Sequence, residues 1–136
     1  MTVFVDASAI VAIIAREPEA STFDARLDWD EDRLTSAMAV WEAVRAVAKA
    51  RGVAFAEARQ LVSDFLTSFQ FDIVPISTLE GEMALDAHQR FGRGVHDADL
   101  NFGDCFSYAC AKSRDIPLLF KGDDFALTDV RDATLE

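Results

Sequence analysis

The run TVFV at residues 2–5 is short, apolar and rich in β-formers, and it stops abruptly on Asp6 and the small residues that follow. Such a run reads as a buried strand rather than a helix. Comparable runs are expected as strands at 33–36, 71–76 and 117–120, with Val130 in a short edge strand. Helical stretches separate them. Ser8 is placed to cap or begin a helix over 9–15, and Pro18 to open one over 18–29. In 37–51, Val40, Val44 and Val47 recur at helical spacing and Gly52 supplies the stop. A single apolar stripe, Phe55 to Phe69, marks a helix over 54–69. Two more are predicted at 78–91, capped by Thr78, and at 103–114. Strands alternating with helices predict an α/β fold: a three-layer α/β/α sandwich around a mainly parallel sheet of four to five strands. With no linker or internal repeat, residues 1–136 read as one domain.

At 136 residues and 51% apolar content, the chain can bury a substantial core. No apolar run approaches the ~20 residues of a membrane span. The first residues run straight into a strand with no basic leader, so a cytoplasmic protein with no membrane partner is expected. Cys105 and Cys110 are not in a C-x-x-C arrangement and read as reduced thiols. The formal net charge is −11, from 13 basic and 24 acidic residues. That balance argues against a simple nucleic-acid binder, but not against a nuclease whose bound metal or basic partner offsets charge locally.

Acidic residues mark the places where strands end or helices begin: Asp6, Glu42, Asp104 and the pair Asp123–Asp124. Each has a simpler reading. Asp6 can cap the next helix, Glu42 can face solvent, Asp104 can offset the N-terminal helix dipole, and Asp123 and Asp124 can serve a turn after Gly122. In an α/β sheet, however, carboxylates at the strands' carboxyl ends converge on one crevice. Two of them about 4 Å apart repel by roughly 4 kcal/mol at an effective dielectric near 20. A hard divalent cation is the usual remedy.

The ordered set FVDASA (4–9), AVWEA (39–43), LNFGDCFSYACAK (100–112) and PLLFKGDDFALTDV (117–130) resembles the PIN domain family, most closely the VapC toxins of bacterial toxin–antitoxin pairs. The resemblance spans nearly the whole chain. It implies a Mg²⁺ site, with Mn²⁺ as a substitute, made by Asp6, Glu42, Asp104 and an aspartate of the GDDF turn. Asp124, directly before Phe125, is favoured for that last place, and Asp123 is the neighbour able to replace or assist it. Ser8 matches a small hydroxyl residue able to reach the metal or its water. Asn101 and Gly103 belong to the motif without being ligands. The activity implied is endonucleolytic hydrolysis of RNA by one metal or two. A VapB-like antitoxin and a homodimer are the implied partners.

An acidic nuclease must hold RNA through local cations. Arg93 and His96, in a glycine-bearing segment upstream of Asp104, and Lys121 are the leading candidates, with Arg90, Lys112 and Arg114 as further ones. Met38, Trp41, Val44 and the stripe 55–69 fit core packing better than a partner surface, and the two roles stay unseparated. The competing functions are a catalytically degenerate PIN-fold binding or regulatory module and a PIN nuclease of RNA maturation. A phosphotransferase of haloacid-dehalogenase type is disfavoured, because Ser8 stands where its second aspartate belongs.

Overall fold

In the computed structural model, which describes residues 1–136, the chain runs β1 (Thr2–Val5), α1 (Ala7–Ile14), α2 (Ala20–Trp29), β2 (Asp32–Thr35), α3 (Ala37–Arg51), α4 (Phe55–Ser68), β3 (Asp72–Ile73), α5 (Thr78–Phe91), α6 (Phe102–Ser113) and β4 (Leu118–Leu119). Two short 3₁₀ turns follow, at Phe125–Leu127 and Ala133–Leu135. The four strands form one wholly parallel sheet in the order β3-β2-β1-β4. β1 is therefore central, pairing Phe4 with Leu34 on one side and with Leu118 on the other.

Side chains alternate across a strand, and here both faces are dry. Val3 and Val5 point into a core built with α1, α2, α3 and α4. Phe4 points the opposite way, into a second core with α5, α6 and Phe125. In β4, Leu119 joins the first core and Leu118 the second. The sheet is thus the middle of three layers, as the alternation of elements predicts.

Element ends show where local chemistry departs from the sequence reading. α1 starts at Ala7, two residues early, because Asp6 itself is the N-cap and its side chain accepts the Ser8 amide. Ser8 is inside the helix. Pro18 lies in the turn before α2 rather than opening it. α3 matches its predicted span, capped by Ser36 and ended by Gly52 in the left-handed region at φ 62°. Ser77, not Thr78, caps α5, in a capping box with Glu80. β3 keeps only two of the six residues expected, since Pro75 has no amide to offer a ladder. Val130 is in no strand. Its side chain fills the second core, while the neighbouring Arg131 carbonyl accepts the Leu118 amide.

Candidate active site

The crevice lies at the carboxyl end of the central strand. β1 stops at Asp6, whose side chain is 4% exposed although it ends in a carboxylate. Burial without partners would be costly, and partners are present. Oδ2 accepts the Ser8 amide at 2.9 Å and the Ser8 hydroxyl at 2.6 Å. Oδ1 accepts the Ser107 hydroxyl at 2.6 Å, across from α6. The Ser8 oxygen in turn accepts the Lys121 amide at 3.0 Å, which ties the segment after β4 to the same point. The cap and the cleft residue are one and the same carboxylate.

Asp104 is the third residue of α6. Its amide donates to Asn101 Oδ1 at 2.8 Å, and its Oδ2 accepts the Asn101 amide at 3.0 Å. This capping box fixes the side chain while leaving the second oxygen available. Glu42 comes from the middle of α3. Ala39 and Ala43 on that helix are buried against the core, and Glu42 projects half-buried toward α6.

Asp6, Glu42 and Asp104 line one cleft of about 510 Å³, together with Ser8, Glu17, Asn101 and Lys121. Their proximity is visible in their acidities. Glu42 is pushed up to about 7, first by burial and then by repulsion from Asp6 and Asp104. Asp104 is pushed up to about 6, chiefly by burial; the Asn101 amide opposes the rise, and Asp6 and Asp124 add to it. Asp124 is exposed and outside the cleft lining, yet near enough to act on Asp104. Asp123 is exposed next to it.

The donors suit a hard divalent cation: all oxygen, mutually repelling and open to solvent on one side. No three acidic or imidazole groups already stand close enough to enclose an ion. Magnesium does not need such a cage, because it keeps several waters and binds through one or two carboxylates. The residues therefore fit a hydrated divalent ion rather than a closed protein site.

The cations expected to meet RNA are distributed unevenly. Lys121 lines the cleft, its ammonium held by Glu17 at 3.1 Å and Glu19 at 3.6 Å. Arg93 pairs with Asp99 at 3.5 Å and lines a separate apolar pocket between α5 and α6. His96 is exposed, accepts the Ala98 amide at Nδ1 and stands edge-on to Phe91; it is not part of the cleft. Arg90 and Lys112 both pair with Asp129, and Arg114 with Glu80. Cys105 and Cys110 are buried free thiols.

Two cleft participants escaped the sequence reading. Ser107 lies three residues after Asp104, so helical spacing puts both on one face of α6, and that spacing was the available signal. Glu17 reaches the cleft only through the turn between α1 and α2, which no local pattern announces.

The PIN domain family model matches residues 3–130. A VapC ribonuclease of Rhizobium meliloti strain 1021 is 40% identical, with 93% of this chain and 98% of the relative covered. Ribonuclease VapC30 of Mycobacterium tuberculosis is 36% identical, covering 96% and 98%. Among solved structures, Mycobacterium tuberculosis VapC20, described as a sarcin–ricin loop cleaving toxin, superposes with a TM-score of 0.74 over 94% of this chain and 95% of its own. At 17% identity that likeness carries the fold alone. Matched along nearly its whole length by one family model and by close relatives of one kind, the chain belongs to the PIN domain family, in its VapC ribonuclease branch.

Proposed function

We propose that the chain is a Mg²⁺-dependent endoribonuclease, with Mn²⁺ as a substitute, acting over residues 1–136 as one domain. The observation that carries this reading is the convergence of Asp6, Glu42 and Asp104, from three separate elements, on one cleft. Asp6, Asp104 and Glu42 are the metal-binding set, with Asp124 as the fourth acid and Asp123 as its alternate. A divalent cation held there supplies charge neutralisation for the scissile phosphate and lowers the pKa of a bound water.

The chain's own groups do the rest. Ser8 and Ser107 hold both Asp6 oxygens in place, so this carboxylate needs no reorganisation when the phosphate arrives. Of the acids around the cleft, a carboxylate oxygen not engaged by the cation would be placed to accept a proton from an attacking water. Lys121, at the cleft wall, can exchange Glu17 and Glu19 for an RNA phosphate. Arg93 and His96 would meet the RNA strand only beyond the cleft, along the α5–α6 face.

The relatives' names support a ribonuclease of VapC type. On the same proposal, it acts as a toxin in the cytoplasm, held in check by a VapB-like antitoxin. A groove of about 610 Å³ between α3 and α4, with Trp41 and Phe55 exposed, is the surface offered to that antitoxin or to a second copy in a homodimer. No helix is long and apolar enough to cross a membrane. The test is cleavage of total RNA in Mg²⁺ by wild type, Asp6→Asn and Asp104→Asn. Wild type should cleave, and each variant should lose activity at least about 100-fold. Full activity in purified Asp104→Asn would remove the basis of the assignment.

A further inference from the structure

Gly103 is the second residue of α6, buried, and its φ is not among the positive values of this chain. The backbone there would accept any residue, and a glycine inside a helix is a poor helix former. Its presence therefore needs a reason other than conformation. The three atoms nearest to a Cβ built on Gly103 all belong to Glu42, and the Cβ would overlap both carboxylate oxygens and the carbon between them. The carboxylate of Glu42 thus lies directly on the bare Cα of α6, one residue from Asp104.

This contact does for Glu42 what hydrogen bonds do for its neighbours. Asp6 is held by Ser8 and Ser107, and Asp104 by Asn101. Burial and the charges of Asp6 and Asp104 act on Glu42, with no hydrogen bond among the influences. The missing methyl group of Gly103 leaves the space that this side chain occupies next to Asp104.

We propose that Gly103 is a positioning residue of the carboxylate site, leaving room for the Glu42 carboxylate against the first turn of α6, beside Asp104, where these acids would hold a divalent cation. This rests on the metal-dependent nuclease reading above. The nearest obstacle to a Cβ is the mobile end of a side chain, so Gly103→Ala is expected to displace Glu42 rather than the helix backbone. Stability and function should then move in opposite directions.

The experiment compares wild type, Gly103→Ala, Glu42→Ala and the double variant. Three quantities are read: melting temperature without added metal, the rise in melting temperature on adding Mn²⁺, and RNA cleavage in Mg²⁺. Gly103→Ala should melt at or above the wild-type temperature, as alanine favours helix. It should lose most of the Mn²⁺-induced rise and cleave about 10- to 100-fold more slowly. The double variant should be no slower than Glu42→Ala alone, since both changes act through one group. Wild-type cleavage and a full Mn²⁺ response in Gly103→Ala would overturn the proposal. So would a Gly103→Ala loss that adds in full to that of Glu42→Ala, whatever the melting temperature. A wild type that neither cleaves nor responds to Mn²⁺ would instead sink the nuclease reading itself, which the wild-type arm reports separately.

Discussion

Asp6 shows how one side chain serves two ends. It caps α1 through the Ser8 amide and faces the cleft with oxygens held by two serine hydroxyls. Ser107 is 2% exposed, so removing its hydroxyl leaves a buried carboxylate oxygen short of a partner. Ser107→Ala should cost about 1–3 kcal/mol of stability, measured from denaturant midpoints. Ser107→Thr, which keeps the hydroxyl, should lose less. Glu42 and Asp104 set the response to pH. Their acidities are raised in the folded chain, from 4.5 to about 7 and from 3.8 to about 6. The folded state therefore holds protons that the unfolded state releases, and these two groups cost stability as pH rises through that range. A cation must displace the same protons. The Mn²⁺-induced rise in melting temperature should accordingly be small at pH 5 and grow toward pH 8. A rise that is equal at both ends would mean that neither group binds the ion. At this scale the acids, Ser8 and Asn101 could be named from sequence, but Ser107 could not: a serine inside a helix carries no pattern until Asp104 is known to face inward.

The elements differ in how far local chemistry decides them. α3 is legible in its span from the valine spacing and from Gly52, which acts within one turn of its end, whereas Ser36, read as the last residue of a strand, is its N-cap and the strand stops at Thr35. β3 is not, because its length depends on which amides find carbonyls in β2, and Pro75 interrupts that search. α5 owes its start to Glu80, which accepts the Ser77 amide at 2.8 Å and the Ser77 hydroxyl at 2.5 Å. Those two bonds, with Arg114 nearby at 3.9 Å, lower its pKa from 4.5 to about 2. The stability it contributes is complete above pH 4.5 and is lost as pH falls toward 2. Glu80→Gln should be less stable than wild type at pH 6, and the gap should narrow below pH 4.5 and be mostly gone near pH 2 in denaturant titrations at each pH. A gap independent of pH would show that packing, not charge, is what Glu80 supplies. α2 is fastened differently. Arg26 is buried, paired with Asp30 at 2.9 Å, and donates to the Ala133 carbonyl, so the last residues are tied back to the first layer.

Across the whole molecule, charge is the governing quantity. With a net −11, the protein repels a polyanion at long range. Most of the cations proposed for RNA already answer to an acid: Arg93 to Asp99, Arg90 and Lys112 to Asp129, Lys121 to Glu17 and Glu19. RNA binding should therefore release few counterions and weaken only gently with salt. Lys121→Ala, assayed in an Asp104→Asn background that does not cleave, should flatten the log–log salt dependence by about 0.7. An unchanged slope would remove Lys121 from the contact set. The layered α/β design was legible from the alternation of elements, since a two-sided sheet needs apolar strands and helices between them. Which cations were free was not legible, because pairing such as Lys121 with Glu17 is set by turns that meet only in the folded chain.

The position of β1 in the sheet also has a meaning in time. Phe4, near the start of the chain, pairs with Leu118, near its end, and the hydroxyls that grip Asp6 come from Ser8 and from Ser107 far downstream. Such distant pairings form late, after the loop between them has closed. A nascent chain that has emerged only as far as α5 carries Asp6 and Glu42 but neither Asp104 nor Ser107. The three carboxylates can therefore share one cleft only after α6 has been made and has packed beside β1.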